Sequence, residues 1–345
     1  MASLFSLPTD RVVIGYGASL AAHAALTADA PASRPVRCEF LVDASPTLHG
    51  KTLAGTPIRP VQALEDLIAD RGHDRVFVIL FAWGTANLRR MWAHAVSLGL
   101  QHGCDFTDCS TLFFEPIRER IEATLGLRAD PELFRTLRAL SLESAIDNQS
   151  SVSGTWLCRE ILGWQLAHHP GDVAEAGVYA GGNAFFTLAS APPELRRRRC
   201  HLFDSFTGLP PLSAFDPASR QGEFANVDLG SVRARFAHFP WAVLHVGRFA
   251  ETFAQMPSAR YCFAHLDCDL YESAGECLDY FYPRLPRGGI LLFHDYWVER
   301  PGLPEGIQQP FTGIRRAVDE FLAGRQENVV CFPETTHALL VKCAD

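Results

Sequence analysis

The sequence lacks the long hydrophobic runs and leader signals that mark membrane and secreted proteins. No apolar run approaches the roughly 20 residues that a bilayer-spanning helix needs. The N-terminus has no basic region and no small-residue cleavage site after a long apolar core. With 345 residues, 48% hydrophobic and 20% charged, the chain is long enough for two globular domains. We therefore expect a cytoplasmic protein that does not associate with membranes.

Positive charge is also scarce, and the cysteines follow no motif. The formal net charge is -8, and the one basic cluster, residues 196–199, is typical of a solvated helix end before a strand. Nucleic-acid binding relies on clustered Lys and Arg, so we expect no nucleic-acid partner.

The ten cysteines are scattered through apolar segments without a C-x-x-C pair, which indicates buried, reduced thiols rather than a disulfide framework.

Strand and helix patterns alternate in two separate parts of the chain, residues 1–110 and 171–345. Residues 111–170 between them are mainly helical by pattern, with Asp130 as a cap and Pro131 as the first residue of a helix. Alternating strands and helices predict mostly parallel sheets. We therefore predict an α/β protein with a smaller Rossmann-like N-terminal domain, a helical connector and a second doubly wound domain.

The first glycine turn, Gly15-Tyr-Gly17, follows a short apolar strand. It begins like a dinucleotide-binding fingerprint, but Leu20 stands where a third Gly or Ala would allow close packing of helix and strand. Asp43, which ends the next strand, lies farther along than expected for a ribose-binding acid. We predict a structural turn and keep nucleotide binding as the alternative.

The second glycine turn combines more features of a ligand site. In VAEAGVYAGGNAFF, Glu175 lies near the end of a strand, and Gly177 and Gly181 precede an apolar helix. Glycines let a backbone approach a ligand closely, and the exposed N–H groups of a helix start favour an anion. Asp204 ends the next strand, at the distance where an acid can accept the hydroxyls of an adenosine ribose.

Asp267 and Asp269 come directly after a run that is typical of a buried strand. Carboxylates are costly to bury without partners, so the pair is a metal site, a general base or two solvated loop residues. His265 alternates with Asp267 on the strand and faces the same way, and we expect it to fill the core.

Six blocks over residues 150–345 resemble the macrocin-type (TylF) O-methyltransferases, class I S-adenosylmethionine-dependent enzymes that modify antibiotic sugars. The blocks are EAGVYAGG, DSFTGLP, GRFAETF, HLDCDLYES, GGILLFHDY and TGIRRAVDEF, in the order and approximate spacing of that family. The resemblance implies a class I methyltransferase fold with an antiparallel C-terminal strand and S-adenosylmethionine as cofactor. It also implies O-methylation of a small natural-product or sugar-type acceptor, at a hydroxyl or a carboxylate. The alternatives are an NAD-dependent oxidoreductase and a non-catalytic binding protein with the same fold.

The resemblance also implies roles for individual residues. Asp267 would be the first ligand of a divalent metal and Asp269 the general base. In the family, the block that corresponds to GGILLFHDY usually ends in two adjacent aspartates, whereas this chain has His294-Asp295. The cofactor contacts would come from the second glycine turn and the strand that follows it: Glu175, Gly177, Gly181, Asp204, Ser205 and Phe206.

His294 changes the expected metal chemistry. Mg²⁺ prefers carboxylate oxygens, whereas imidazole suits Zn, Fe, Mn or Ni better. The site therefore holds Mg²⁺, holds another metal, or holds none while His294 acts as acid or base. We predict Asp267, His294 and Asp295 as metal ligands, with Asp269 and His294 as catalytic residues.

Two long segments of loop composition, 210–232 and 298–313, are predicted to form lid or substrate loops. For Trp297 and Phe311, contact with the acceptor and simple packing both remain open. The partner is a small-molecule acceptor, and homo-oligomer formation is left open.

Overall fold

The computed structural model describes residues 7–27, 35–217, 219–307 and 311–344. The first part of the chain forms a six-stranded sheet. Its strands are β1 Val12–Tyr16, β2 Phe40–Asp43, β3 Thr52–Leu53, β4 Thr56–Pro60, β5 Val76–Leu80 and β6 Phe106–Asp108. They lie in the order β3-β4-β2-β1-β5-β6, and only the short β3 pairs antiparallel. The central β5, VFVIL, is buried throughout, as expected for a strand covered on both faces.

From its sequence, the Gly- and Pro-containing segment before the second helix, residues 50–61, is expected to be an irregular connection; this expectation is wrong in one respect, because Thr56–Pro60 forms β4. Only Ile58 of this strand is buried, and prolines occupy two of its five positions. Proline has no N–H to donate to a neighbouring strand, and β4 lacks the alternation of apolar and polar residues that marks a half-buried strand. Its sequence therefore gives little indication of a strand. The three-residue β6 was missed as well.

Six helices belong to the first sheet and to the connector: α1 Leu20–Thr27, α2 Gln62–Arg71, α3 Thr85–Ser97, α4 Cys109–Leu125, α5 Pro131–Glu143 and α6 Val152–His168. The predicted cap of α5 is confirmed, because the Asp130 side chain accepts a hydrogen bond from the backbone N–H of Glu132. Helix α6 is buried along most of its length and packs against both α5 and α7, the first helix of the next domain, which spans Gly182–Ala189. It is therefore part of the core and not a loose linker.

The second domain is a seven-stranded sheet with helices on both faces. Its strands are β7 Asp172–Ala176, β8 Cys200–Asp204, β9 Ala242–Val246, β10 Tyr261–Leu266, β11 Ile290–Phe293, β12 Val329–Phe332 and β13 His337–Val341. The order is β12-β13-β11-β10-β7-β8-β9, with β13 antiparallel to both neighbours. The other helices are α8 Leu229–Phe236, α9 Phe249–Ala254, α10 Tyr271–Phe281 and α11 Gly313–Leu322. The predicted doubly wound α/β fold with an antiparallel last strand is confirmed.

Specific contacts join the two parts of the chain. The Arg120 guanidinium on α4 makes a two-pronged ion pair with the buried Glu334 carboxylate, at 2.8 and 3.1 Å. Lys51 Nζ donates to the carbonyl of Glu305 at 2.6 Å. A paired Arg–carboxylate fork fixes geometry as well as distance. The ion pair joins the connector helix α4 to the second domain, and the Lys51 hydrogen bond joins the N-terminal domain to the loop after β11.

Six of the ten cysteines are buried, as expected for reduced thiols in a core, whereas Cys38 and Cys331 are half-buried and Cys104 and Cys343 are exposed. Within the described residues, no helix combines the length and the apolar character needed to cross a membrane.

Candidate active site

A cleft of about 840 Å³ opens between the carboxyl edges of the two sheets. Loops after β1 and β5 of the first sheet line it, together with loops after β7, β8, β10 and β11 of the second. Strand order reverses between β1 and β5 in one sheet and between β7 and β10 in the other. Doubly wound sheets bind ligands outside such switch points. Both sheets therefore direct their ligand-binding positions into one cleft.

Gly177 brings the second glycine turn against the strand end that carries Asp267. Its φ is +88°, and a Cβ at this position would overlap the carbonyl of Asp267. The Gly177 N–H donates to the Phe203 carbonyl at 2.9 Å, and Asp267 N–H donates to the Ala176 carbonyl at 2.8 Å. Only glycine fits both the φ and the close approach, so the turn itself places Asp267 at the cleft.

Two residues of the predicted cofactor set lie away from the cleft lining. Gly181 caps α7 with φ +78°, and the Phe236 ring lies 2.7 Å from the position of a Cβ there. Phe206 is only 8% exposed and packs in the core. Their direct contact with a cofactor remains a prediction, while Gly177, Glu175, Asp204 and Ser205 line the cleft.

Asp204 ties the glycine turn in place. One carboxylate oxygen accepts from the backbone N–H groups of Val178 and Tyr179, both at 2.8 Å, and the other accepts from Phe206 N–H at 2.6 Å. Three backbone donors thus satisfy both oxygens of this carboxylate. Asp204 therefore shapes the second glycine turn, and its contact with a ribose remains a prediction.

Glu175 lies in a buried polar group beneath the turn. Its Oε2 accepts from Asn183 Nδ2 at 3.0 Å and lies 3.6 Å from His265 Nδ1. His265 is 1% exposed and stacks on His337, with ring centroids 5.6 Å apart. It fills the core, as predicted, and it also has polar neighbours. Asn183, which follows the glycines directly, was missed although its amide sits at the start of α7 and lines the cleft.

Asp267, His294 and Asp295 converge because they follow neighbouring parallel strands, β10 and β11. His294 Nδ1 lies 2.8 Å from Asp267 Oδ1 and 3.1 Å from Asp295 Oδ2. These are ion-pair distances without an aligned N–H···O hydrogen bond. One donor atom from each residue lies within 4.8 Å of the others. The mixed nitrogen and oxygen donors fit a divalent cation that accepts imidazole as well as carboxylate.

The charges of the His294 imidazole and its two neighbouring carboxylates act on one another. Burial alone would lower the pKa of His294, but Asp267 and Asp295 outweigh it and raise the pKa well above its ordinary value. Burial would raise the pKa of Asp267, yet the neighbouring His294 lowers it below the ordinary value. In the absence of a cation, a protonated His294 therefore compensates the two carboxylates.

Asp269 lies in the same cleft, two residues after Asp267, with a left-handed backbone at φ +65°. Burial, reinforced by the charges of Asp267 and Asp295, raises its pKa well above the ordinary value. Non-glycine residues at positive φ are uncommon and cluster at functional sites. Asp295 shares the feature, at φ +55°. A strained carboxylate with a raised pKa is suited to proton transfer.

Both predicted substrate loops reach the cleft. From residues 210–232 it is lined by Pro210, Pro211, Arg220, Glu223, Phe224 and Val227, although α8 already begins at Leu229. From residues 298–313 it is lined by Val298, Gly306, Ile307 and Phe311; residues 218 and 308–310 lie outside the described part of the chain. Trp297 instead packs against Arg315, whose guanidinium carbon lies 4.9 Å from its ring centre.

The first glycine turn has a structural reason of its own. A Cβ on Gly15 would meet the Leu41 and Phe81 side chains, and one on Gly17 would lie 2.8 Å from the Phe81 carbonyl. The Asp43 carboxylate accepts from the backbone N–H groups of Ala18 and Ser45, at 2.8 and 2.7 Å. Strand packing thus accounts for the two glycines, and Asp43 holds this turn through backbone donors in the same way as Asp204 holds the second turn.

The sequence interpretation missed the part that the N-terminal domain plays at the cleft. Ser19 and Leu20 at the start of α1 line it, and so does Trp83, whose ring centre lies 6.3 Å from that of His294. Trp83 follows the carboxyl end of β5, and residues at that position in an α/β sheet commonly line a ligand site, so the sequence could have indicated it. The docking of one domain on the other is the part that no local pattern reveals.

Comparison with known proteins agrees with the motifs of the second domain. Residues 165–318 match the model of the macrocin-O-methyltransferase (TylF) family, a narrower range than the 150–345 expected from the blocks. A tetracenomycin-type rhamnosyl 4'-O-methyltransferase of Streptomyces olivaceus is 34% identical over 143 residues, or 38% of this chain and 54% of that enzyme. Mycinamicin III 3''-O-methyltransferase of Micromonospora griseorubida is 28% identical over 154 residues, or 41% of this chain and 60% of that enzyme.

A third relative, demethyldecarbamoylnovobiocin O-methyltransferase of Streptomyces niveus, is 28% identical over 166 residues, covering 45% of this chain and 59% of the enzyme. The chain thus spans between half and two thirds of the length of these relatives. The resemblance of the second domain to the macrocin-O-methyltransferase (TylF) family is confirmed over residues 165–318.

Proposed function

We propose that this protein transfers a methyl group from S-adenosylmethionine to an oxygen of a small acceptor. The observation that carries the proposal is the meeting of Gly177, Asp267, Asp269 and the pair His294-Asp295 in one cleft. The glycine turn offers a close backbone approach for the cofactor. The carboxylates offer a base and ligand atoms for the acceptor side.

The protein's own contribution is to position the acceptor and to manage its proton, because the cofactor supplies the electrophile. The methyl carbon leaves the sulfonium sulfur and bonds to the acceptor oxygen. The hydroxyl proton passes to the Asp269 carboxylate, and neutral S-adenosylhomocysteine remains. The raised pKa of Asp269 makes its ionised form a stronger base than an ordinary aspartate.

Asp267, His294 and Asp295 would hold a divalent cation, which when bound lowers the pKa of an acceptor hydroxyl and makes it a better nucleophile. His294 would then be a ligand through its nitrogen, in its neutral form. Without a cation the same side chain is protonated and compensates the two carboxylates. Metal binding at this site would therefore displace a proton.

The names of the relatives support a natural-product acceptor. Two of the three are named for O-methylation at the 4' position of a rhamnosyl-tetracenomycin and at the 3'' position of mycinamicin III, and the third for O-methylation of demethyldecarbamoylnovobiocin. We assign the same broad class, a hydroxylated natural product or its sugar, to this protein. The NAD-dependent alternative has less support, because all three of these relatives are named O-methyltransferases.

The proposal is tested by incubating the full chain with methyl-labelled S-adenosylmethionine and a panel of hydroxylated glycosides and phenols, with and without a chelator. We expect one labelled O-methyl product, with turnover reduced by chelator and restored by added metal. Failure of the chain to bind S-adenosylmethionine refutes the methyltransferase assignment. Turnover that is insensitive to chelator refutes only the metal.

A further inference from the structure

The wall of the cleft opposite the strand ends β10 and β11 comes from the N-terminal domain. Ser19 and Leu20 at the start of α1 and Trp83 after β5 all line the same space as Asp269 and His294. The Trp83 ring lies tilted by 39° against the His294 ring, with ring centres 6.3 Å apart, and lines the same cleft as Asp269. The methyltransferase domain by itself would leave this side open.

The loop that carries Trp83 is held firmly to the connector. Gly84 adopts φ +78°, and a Cβ there would lie 3.2 Å from the Asn148 carbonyl. Thr85 and the buried Asn148 exchange two hydrogen bonds, from Thr85 N to Asn148 O at 2.9 Å and from Asn148 N to Thr85 Oγ1 at 3.1 Å. A side chain on an anchored turn can set the shape of a pocket without paying to be ordered on binding.

The N-terminal domain also holds the second substrate loop. A Cβ on Gly306 would lie 3.0 Å from Leu48, and Lys51 Nζ donates to the Glu305 carbonyl at 2.6 Å. Gly306 and the following Ile307 line the cleft. The N-terminal domain thus shapes the cleft both directly, through Trp83, and indirectly, through the position of this loop.

The charge of the cleft limits what it accepts. Among its described lining residues ten are Asp or Glu and two, Arg220 and Arg248, are Arg, while His294 adds a third cationic side chain when it is protonated. A phosphate or diphosphate group would meet mostly like charge, and one bound cation would not reverse that balance. S-adenosylmethionine, with its sulfonium, suits such a site, and so does an uncharged acceptor.

We propose that Trp83, Ser19 and Leu20 form the acceptor wall, and that the cleft takes an uncharged hydroxylated ring compound and not a nucleotide-linked sugar. The inference rests on the proposed methyltransferase function and adds the class of its acceptor. The Trp83 ring packs against the face of the acceptor ring, as aromatic side chains do in small-molecule pockets. The N-terminal domain is then a specificity element of the reaction.

Saturation-transfer NMR tests the proposal on the full chain saturated with S-adenosylhomocysteine, with phenyl glucoside and UDP-glucose as matched probes. We expect saturation transfer to phenyl glucoside and none to UDP-glucose. Transfer should fall at least about fivefold in Trp83→Ala. It should be retained in the control Trp92→Phe, because the Trp92 ring packs on Phe106 in the same domain. Stronger transfer to UDP-glucose, transfer that ignores Trp83→Ala, or transfer to neither probe overturns the proposal.

Calorimetric titration of S-adenosylhomocysteine into the same proteins distinguishes an error in the proposed methyltransferase function from an error in the proposed acceptor wall. If the wild-type chain does not bind it, the proposed function is wrong. If wild type and Trp83→Ala bind it equally and only the probe result fails, the methyltransferase assignment stands and the acceptor wall is wrong. Circular dichroism of Trp83→Ala and the milder Trp83→Phe establishes that the variants are folded.

Discussion

Replacing Gly177 by alanine tests how the fold positions the site. The new Cβ would overlap the Asp267 carbonyl, and the backbone would have to keep φ at +88°. Overpacking a close contact costs about 1–3 kcal/mol, and a non-glycine residue in the left-handed region costs about 1–2 kcal/mol. If the turn keeps its shape, we expect the free energy of unfolding to fall by about 2–5 kcal/mol.

If the turn shifts to relieve the overlap, the loss of stability should be smaller. Binding of S-adenosylhomocysteine should then weaken, because Gly177 and Asp267 both line the cleft. Urea unfolding and calorimetric titration together capture both outcomes. Gly275→Ala is the matched control, since that glycine lies within α10 and a Cβ there meets nothing within 4 Å. It should stabilise the protein by about 0.4–1 kcal/mol. Unchanged unfolding and unchanged affinity in Gly177→Ala would refute the reasoning.

The other predictions concern the chemistry and the pH dependence. Asp269→Asn should lower kcat by about 10²–10⁴-fold with S-adenosylhomocysteine affinity within about twofold; steady-state kinetics and calorimetry decide, and an unchanged kcat rules out the base. His294→Asp replaces imidazole by a harder ligand and should raise Mg²⁺ affinity relative to Zn²⁺, measured by metal titration, whereas an unchanged preference argues against His294 as a ligand. Burial lowers the pKa of His245 to about 4, so the folded state holds fewer protons than the unfolded state below about pH 6.5. The free energy of unfolding should therefore decrease as the pH is lowered. This partly exposed group should contribute a loss of about 1 kcal/mol between pH 7 and pH 5. His245→Phe, which keeps a ring beside Phe203, should flatten that dependence in urea unfolding, and an equally steep fall would exclude His245 as its source.

The sequence was sufficient to predict the chemical edge of the second domain. Asp267 and His294-Asp295 follow two apolar runs, and the carboxyl ends of parallel strands meet at one edge whatever the details of packing. The close contact of Gly177 with the Asp267 carbonyl gives the glycine turn its physical reason. That contact joins residues far apart in sequence, so only the folded chain shows it.

Other features depend on long-range packing and were beyond local patterns. Asp204 has three backbone donors, which follows from how the turn after β7 folds back over β8. Gly181 meets the Phe236 ring from a distant helix. Trp83 reaches the cleft only because the two sheets dock with their carboxyl edges together, held by Arg120 and Glu334 among others.

In the proposed function, the cleft binds S-adenosylmethionine through the second glycine turn. The most direct measurement is a calorimetric titration of S-adenosylmethionine into the full chain, with NAD as the competing ligand and Gly177→Ala beside the wild type. We predict one S-adenosylmethionine site per chain, weakened in Gly177→Ala, and no heat with NAD. Binding of NAD in place of S-adenosylmethionine, or binding of neither, would contradict the account.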